Sequence, residues 1–319
     1  GPGRTIKPSI SHFLFSSYIM NPFIEKIIPL ILAFFIGIVL KLLKLLSQED
    51  APVLLRIVLN VCLPCLTIIA ISNIQLKADM ALIPFTAIII VFLMYIISYT
   101  IGKHLKMEKT TFGSFLVGTM IMNTAYALPF FFAAFGNEGL ARASLFDIGN
   151  TFMIFTFTYY NAIKYGDNNK TAEIEWKKFL RLPPLWAMVI AFSWKLTTVP
   201  IPPVALNFLN FMGQPMVPLM MIALGLYFNP KRCNIGKAAI AIFIRMGVGL
   251  GIGIALSALF GFEGITRTVV TVCSALPIGF NTLIFSNLEN MDREFAATIV
   301  SISIFIALFY IPWLIYLFR

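Results

Sequence analysis

Residues 118–136 read GTMIMNTAYALPFFFAAFG, inside a charge-free run from Thr110 to Asn137. The run is long enough to cross a bilayer, which takes about 20 mostly apolar residues. Its middle, Asn123 to Pro129, sets an amide and a hydroxyl beside a proline, which removes one backbone hydrogen bond and clashes with the preceding turn. In hydrocarbon every freed backbone group must find a partner. A broken helix therefore survives only buried in protein or lining a watery cavity.

The rest of the chain has the same character. Of 319 residues, 59% are hydrophobic and 12% charged, against roughly 25% charged in soluble domains, and the mean hydropathy is +0.88. No run alternates as a membrane barrel strand would. The expected fold class is an all-α polytopic membrane protein. Its ten expected spans lie at about 23–44, 51–73, 80–103, 110–136, 139–164, 183–199, 204–228, 236–260, 264–288 and 294–318. Residues 1–22 read as a cleavage scar, Gly-Pro-Gly, followed by an external N-terminal segment. Residues 23–164 form a first five-helix unit and 183–319 a second. The charged loop 165–182 lies between them, where TAEIEWKKFLRL has the pattern of an amphipathic interfacial helix.

The net charge of +10 sits in short loops between apolar spans. That distribution suits cytoplasmic loops and argues against a nucleic-acid partner. The denser basic side includes the 165–182 loop, which places that loop in the cytoplasm and both termini outside the cell membrane. Cys62 and Cys65 form a C-x-x-C within an apolar span with no histidine nearby, so packing is expected rather than a metal. His12 and His104 are the only histidines, both at or beyond span ends, and no intramembrane aspartate pair exists. Intramembrane hydrolysis therefore lacks residues to run on. Neither an enzyme nor a cofactor is expected.

The two five-span units show matching landmarks. Pro29 and Pro184 open spans one and six, Pro64 and Pro218 interrupt spans two and seven, and Pro129 and Pro277 interrupt spans four and nine. The offsets are 155 (29 to 184), 154 (64 to 218) and 148 (129 to 277). Five spans per unit is odd, so the second copy enters from the opposite face, which is the inverted repeat of secondary transporters. Spans four and nine would cross as broken helices. Their half-helix N-termini would then meet near the midplane, an arrangement that suits a carboxylate. Asn123, Thr124, Ser274 and Asn281, with Pro129 and Pro277, are the expected substrate-site residues. Asn60 and Gln214 are repeat-related amides that either line the scaffold side of a cavity or bond across helices. Asp147 and Arg245 are ionisable groups inside spans, where a functional role is the default hypothesis. Two arrangements stay open: an ion pair between them, or Asp147 as a proton or cation site with Arg245 facing an anion.

CSALPIGFNTLIFSNLENMDREFAATIVSISIFIALFYIPW (273–313), RIVLNVCLPCL (56–66) and MNTAYALPFFFAAFG (122–136) resemble the last two, second and fourth helices of the auxin efflux carrier family. The likeness is to its compact prokaryotic members and runs from about residue 23 to the end. It implies the fold of bile-acid sodium symporters, with a scaffold of helices 1, 2, 6 and 7 and an elevator-like transport domain of helices 3–5 and 8–10. It also implies a substrate at the crossing of helices 4 and 9, with Asn123 as the crossover asparagine and Pro129 and Pro277 as the crossover prolines. One departure is visible: the spacing from Asn123 to Pro129 is one residue short of the family's, with Ala127 where glycine is usual.

The expected function is secondary active transport of a small organic anion, a carboxylate above all. The alternatives are a sodium-coupled symporter of the bile-acid type and, more remotely, a channel or sensor. Coupling to protons or sodium is open, and relatives suggest a homodimer.

Overall fold

The computed structural model describes residues 22–73, 78–167, 183–197, 199–229 and 235–319. The expected N-terminal segment, the interfacial helix at 171–182 and Cys233 lie outside the described residues. Helices occupy all ten expected windows, and no β-strand occurs among the described residues beyond one isolated bridge.

In chain order the helices are α1 (Pro22–Leu42), α2 (Ala51–Ile57, a π-helical turn Val58–Cys62, then Leu63–Asn73) and α3 (Ile83–His104). They continue with α4 (Lys109–Met120) and α5 (Thr124–Met153, extended by a π-helical turn Ile154–Thr158 and Tyr159–Tyr165). The second half has α6 (Pro183–Leu196), α7 (Pro203–Gly213), α8 (Met216–Tyr227) and α9 (Ile235–Ile242, a π-helical turn Phe243–Val248, then Gly249–Leu259). It closes with α10 (Gly264–Ser274), α11 (Asn281–Leu288) and α12 (Arg293–Phe318). Among the described residues five helical stretches are by length and composition able to cross a membrane: Ala51–Ser72, Asp79–His104, Pro203–Tyr227, Ile235–Leu259 and Arg293–Phe318.

Local chemistry explains the interruptions. The Pro64 ring would strike the Asn60 carbonyl in a regular α-helix, and a wider π turn occupies 58–62, directly before it. Gln214 and Pro215 form the turn between α7 and α8. Within α5, Gly136 takes φ 59°, ψ −141°, a conformation only glycine adopts at no cost. The bend divides α5 where the fourth window was expected to end.

The helices pack in two sets around α5. In the first, α1 lies on α8, while α6 and α7 lie on the second half of α2. The α1–α8 contact is backbone to backbone: a Cβ on Gly37 would come within 3.0 Å of the Gly225 Cα. In the second set α3 packs on α5 and α4, α9 on α10, and α12 on α4 and α11. The buried core includes Phe34, Phe115, Phe130, Phe131, Phe146 and Phe295. Outward faces carry Leu32, Phe85, Phe208, Phe211, Phe243 and Trp313 exposed. Apolar surface of that extent on several helices is what a protein solvated by lipid presents.

Candidate functional site

The site starts from the two helix breaks. α4 stops at Met120, Ile121 and Met122 run extended, and Asn123 caps α5, its Oδ1 accepting from the Tyr126 N–H at 3.3 Å. On the other side α10 stops at Ser274, and α11 starts at Asn281. The extended pieces cross antiparallel, with Met122 bridged to Ile278. The Asn123 N–H donates to the Pro277 carbonyl at 3.0 Å, and the Gly279 N–H donates to the Ile121 carbonyl at 3.2 Å. The Ile278 N–H is taken by Ser303 Oγ of α12 at 3.1 Å. Groups that unwinding would leave unpaired in hydrocarbon thus satisfy each other.

The two prolines hold different places. Pro277 sits in the unwound stretch, whereas Pro129 sits in the second turn of α5, six residues beyond Asn123 (129 against 123). Pro129 therefore does not make the break. With no N–H, it leaves the Ala125 carbonyl without its intrahelical donor, and Ala125 lines the cavity.

A cavity of about 600 Å³ opens at the crossing. Asn123, Thr124, Asn281, Asn60 and Asp147 line it, joined by Arg56, Tyr126, Asn150 and Thr151, while Leu59, Met188, Met220, Leu224, Tyr227 and Phe280 form apolar wall. The N-termini of α5 and α11 both face it, bringing their partial positive charges together. Side-chain amides add to this. Asn150 Nδ2 donates to the Met122 carbonyl at 2.9 Å and reaches Thr124 Oγ1 at 3.4 Å, tying the second limb of α5 to the unwound stretch. Thr124 Oγ1 donates to Asp147 Oδ1. Three buried polar atoms on this wall have no protein partner: Asn123 Nδ2, Asn150 Oδ1 and the Tyr126 hydroxyl. An unpartnered buried polar atom costs about 1–3 kcal/mol, and these three belong to residues that line the cavity.

The remaining expected residues lie elsewhere. Ser274 is fully buried behind the crossing, its Oγ donating to the Val270 carbonyl at 2.6 Å. Gln214 is exposed at the α7–α8 turn, away from the cavity. Arg245 neither pairs with Asp147 nor lines the cavity. The π turn of α9 directs its fully buried guanidinium to the Thr119 carbonyl at 3.1 Å and to the Ser274 carbonyl. These are carbonyls in the last turns of α4 and α10, where a cation offsets both negative helix ends. A second arginine, Arg142, fastens the start of the second limb of α5 to α10, donating to Thr266 Oγ1 at 3.0 Å and pairing with Glu138.

Arg56, Asn150, Thr151 and Tyr126 were not among the sequence-predicted residues. Arg56 lies four residues before Asn60, and Asn150 and Thr151 lie three and four after Asp147, spacings that share a helix face. The signal was an intramembrane charge in one case and a D-x-x-N-T pattern in the other.

Residues 22–315 match the family described as "Membrane transport protein", in agreement with the resemblance read from the sequence. An uncharacterized transporter of Methanocaldococcus jannaschii is 28% identical over 296 residues, covering 89% of this chain and 94% of that protein. An uncharacterized transporter of Methanothermobacter thermautotrophicus is 25% identical over 294 residues, covering 90% and 96%.

Proposed function

Because this chain belongs to the membrane transport protein family of the auxin efflux carriers and is a multi-pass membrane protein, we propose that it is a secondary carrier for a small organic anion. The observation that carries this reading is the crossing itself. Two half-helix N-termini meet at one cavity, with Asn123 and its buried, unpartnered amide in the lining, and such termini favour a carboxylate over a cation or a neutral solute. Arg56 supplies the cavity's full positive charge. The largely apolar wall favours a monocarboxylate with an apolar body over a dianion.

Transport runs by alternating access, in an elevator-like movement of helices 3–5 and 8–10 of the ten-span count against helices 1, 2, 6 and 7. The two packing sets support that division. An inverted 5+5 repeat is supported by the bridge: Met122 and Ile278 are 156 positions apart (278 against 122), close to the offsets of 155 and 154 at spans one and two. An antiparallel contact between equivalent residues is what a two-fold axis in the membrane plane requires. Both termini then lie outside and the 165–182 loop in the cytoplasm.

Counterflow in proteoliposomes, run over a panel of mono- and dicarboxylates, tests the reading. Saturable uptake driven by an internal carboxylate is expected. Flux that does not saturate and shows no counterflow would identify a channel instead.

A further inference from the structure

Asp147 is the feature of the cavity that an anion site does not need. Its half-buried carboxylate sits on the second limb of α5 and lines the cavity. Oδ1 collects three hydrogen bonds, from Thr124 Oγ1, from Thr151 Oγ1 at 3.3 Å and from Asn150 Nδ2 at 3.5 Å. Among the described residues Oδ2 receives none, and no Lys or Arg lies within ion-pair distance of Asp147. Arg245 cannot serve as its counter-charge, being committed to the Thr119 and Ser274 carbonyls.

The titratable groups facing Asp147 are few. Cys273 of α10 stands close enough to feel its charge. Arg56 of α2, Tyr126 of the first limb of α5 and Tyr227 of α8 share the cavity wall. None of them is a carboxylic acid, so among the described lining residues a proton arriving in the cavity has one carboxylate to bind.

Ionised Asp147 and an incoming carboxylate repel one another. Like charges roughly 6 Å apart at an effective dielectric of about 20 weaken binding on the order of 100-fold. Protonation of Asp147 removes that opposition and leaves the Thr124, Thr151 and Asn150 contacts in place. We propose that Asp147 is the proton-binding site of the carrier, taking one proton on Oδ2 with each anion bound and releasing it with the anion. This rests on the anion-carrier reading. The coupling has a further consequence for crossing the bilayer. An empty site with ionised Asp147 and a loaded site with neutral Asp147 plus a monoanion bear the same net charge, so loading adds no charge to carry through low dielectric.

Infrared titration of the full chain in liposomes, with benzoate as probe, tests the proposal. In the wild type the protonated-carboxyl stretch should grow as pH falls and grow again when benzoate is added at fixed pH. Asp147→Asn, which keeps the amide oxygen as acceptor for Thr124, should lack the part of that band that benzoate adds at fixed pH, the other carboxyls of the chain titrating alike in both proteins. Benzoate affinity should rise on acidification in the wild type, by about 100-fold in all as Asp147 passes from ionised to protonated, and stay flat in Asp147→Asn. Benzoate binding with no change in the carboxyl stretch, or pH-dependent binding kept by Asp147→Asn, would overturn the coupling while leaving the anion site standing. If neither protein bound benzoate, acetate, succinate or malate at any pH, the anion site would fail and the coupling with it.

Discussion

The Asn123 N–H donates to the Pro277 carbonyl at 3.0 Å, joining residues 154 positions apart (277 against 123) through their backbones at the crossing of two broken helices. The contact leaves the Asn123 side chain to do two other things. Its Oδ1 caps α5 through the Tyr126 N–H, and its Nδ2 is buried without a protein partner in a residue that lines the cavity.

Those two tasks separate by substitution. Asn123→Asp keeps an oxygen for the cap but replaces the donor with negative charge. Thermal stability should stay near wild type while carboxylate binding is lost. Asn123→Ala removes both and should lower stability by about 1 kcal/mol and affinity by roughly 10- to 100-fold, the worth of a hydrogen bond to a charged group. Paired melting and binding measurements check this, and carboxylate binding kept by both variants would remove Asn123 from the site.

Arg56 is exposed to the cavity, so its loss should be felt by the ligand and not by the fold. Arg56→Gln should weaken carboxylate binding about tenfold with a melting temperature close to wild type, and Arg56→Lys should recover part of the loss, since the charge remains without the guanidinium fork. An unchanged affinity in Arg56→Gln would mean that the helix termini act alone.

The opposite pattern is expected for Arg245. Removing its guanidinium strands the Thr119 and Ser274 carbonyls in a dry interior, at about 1–3 kcal/mol each. Arg245→Gln should therefore lower thermal stability sharply, and any protein that survives purification should keep its carboxylate selectivity. Altered selectivity at wild-type stability would place Arg245 in contact with the ligand.

Gly225 meets Gly37 and the Phe34 backbone of α1, with a Cβ at Gly225 predicted 3.0 Å from the Gly37 Cα. Gly225→Val should push α1 and α8 apart and destabilise by about 1–3 kcal/mol. Gly251, whose Cβ would meet nothing within 4 Å, should accept Ala without loss. The pair can be read by thermal melting in detergent.

Much of the fold was legible in residues 22–319. Charge-free windows of membrane length, bounded by turn and basic residues, located helices in all ten places, because apolar length is a one-dimensional property of a lipid-solvated chain. Asn123, Thr124, Asn281, Asn60 and Asp147, singled out separately as polar residues standing where hydrocarbon would reject them, line one cavity. The proline signal was only half right. Pro277 marks its break, but Pro129 lies in the second turn of the next helix, where it removes one backbone hydrogen bond from Ala125, a residue that lines the cavity.

By itself, then, the sequence determined what must be in the membrane and which polar groups there need partners. Which partners they take was decided only by tertiary structure. Arg245 and Asp147 are both intramembrane charges of opposite sign, and sequence spacing allowed them to pair. The fold instead turns Arg245 onto the carbonyl ends of α4 and α10 and leaves Asp147 on the cavity with neutral donors. The reason is physical: hydrophobic length depends on composition alone, whereas the partner of a buried charge depends on which helix ends converge on it across more than a hundred residues of chain.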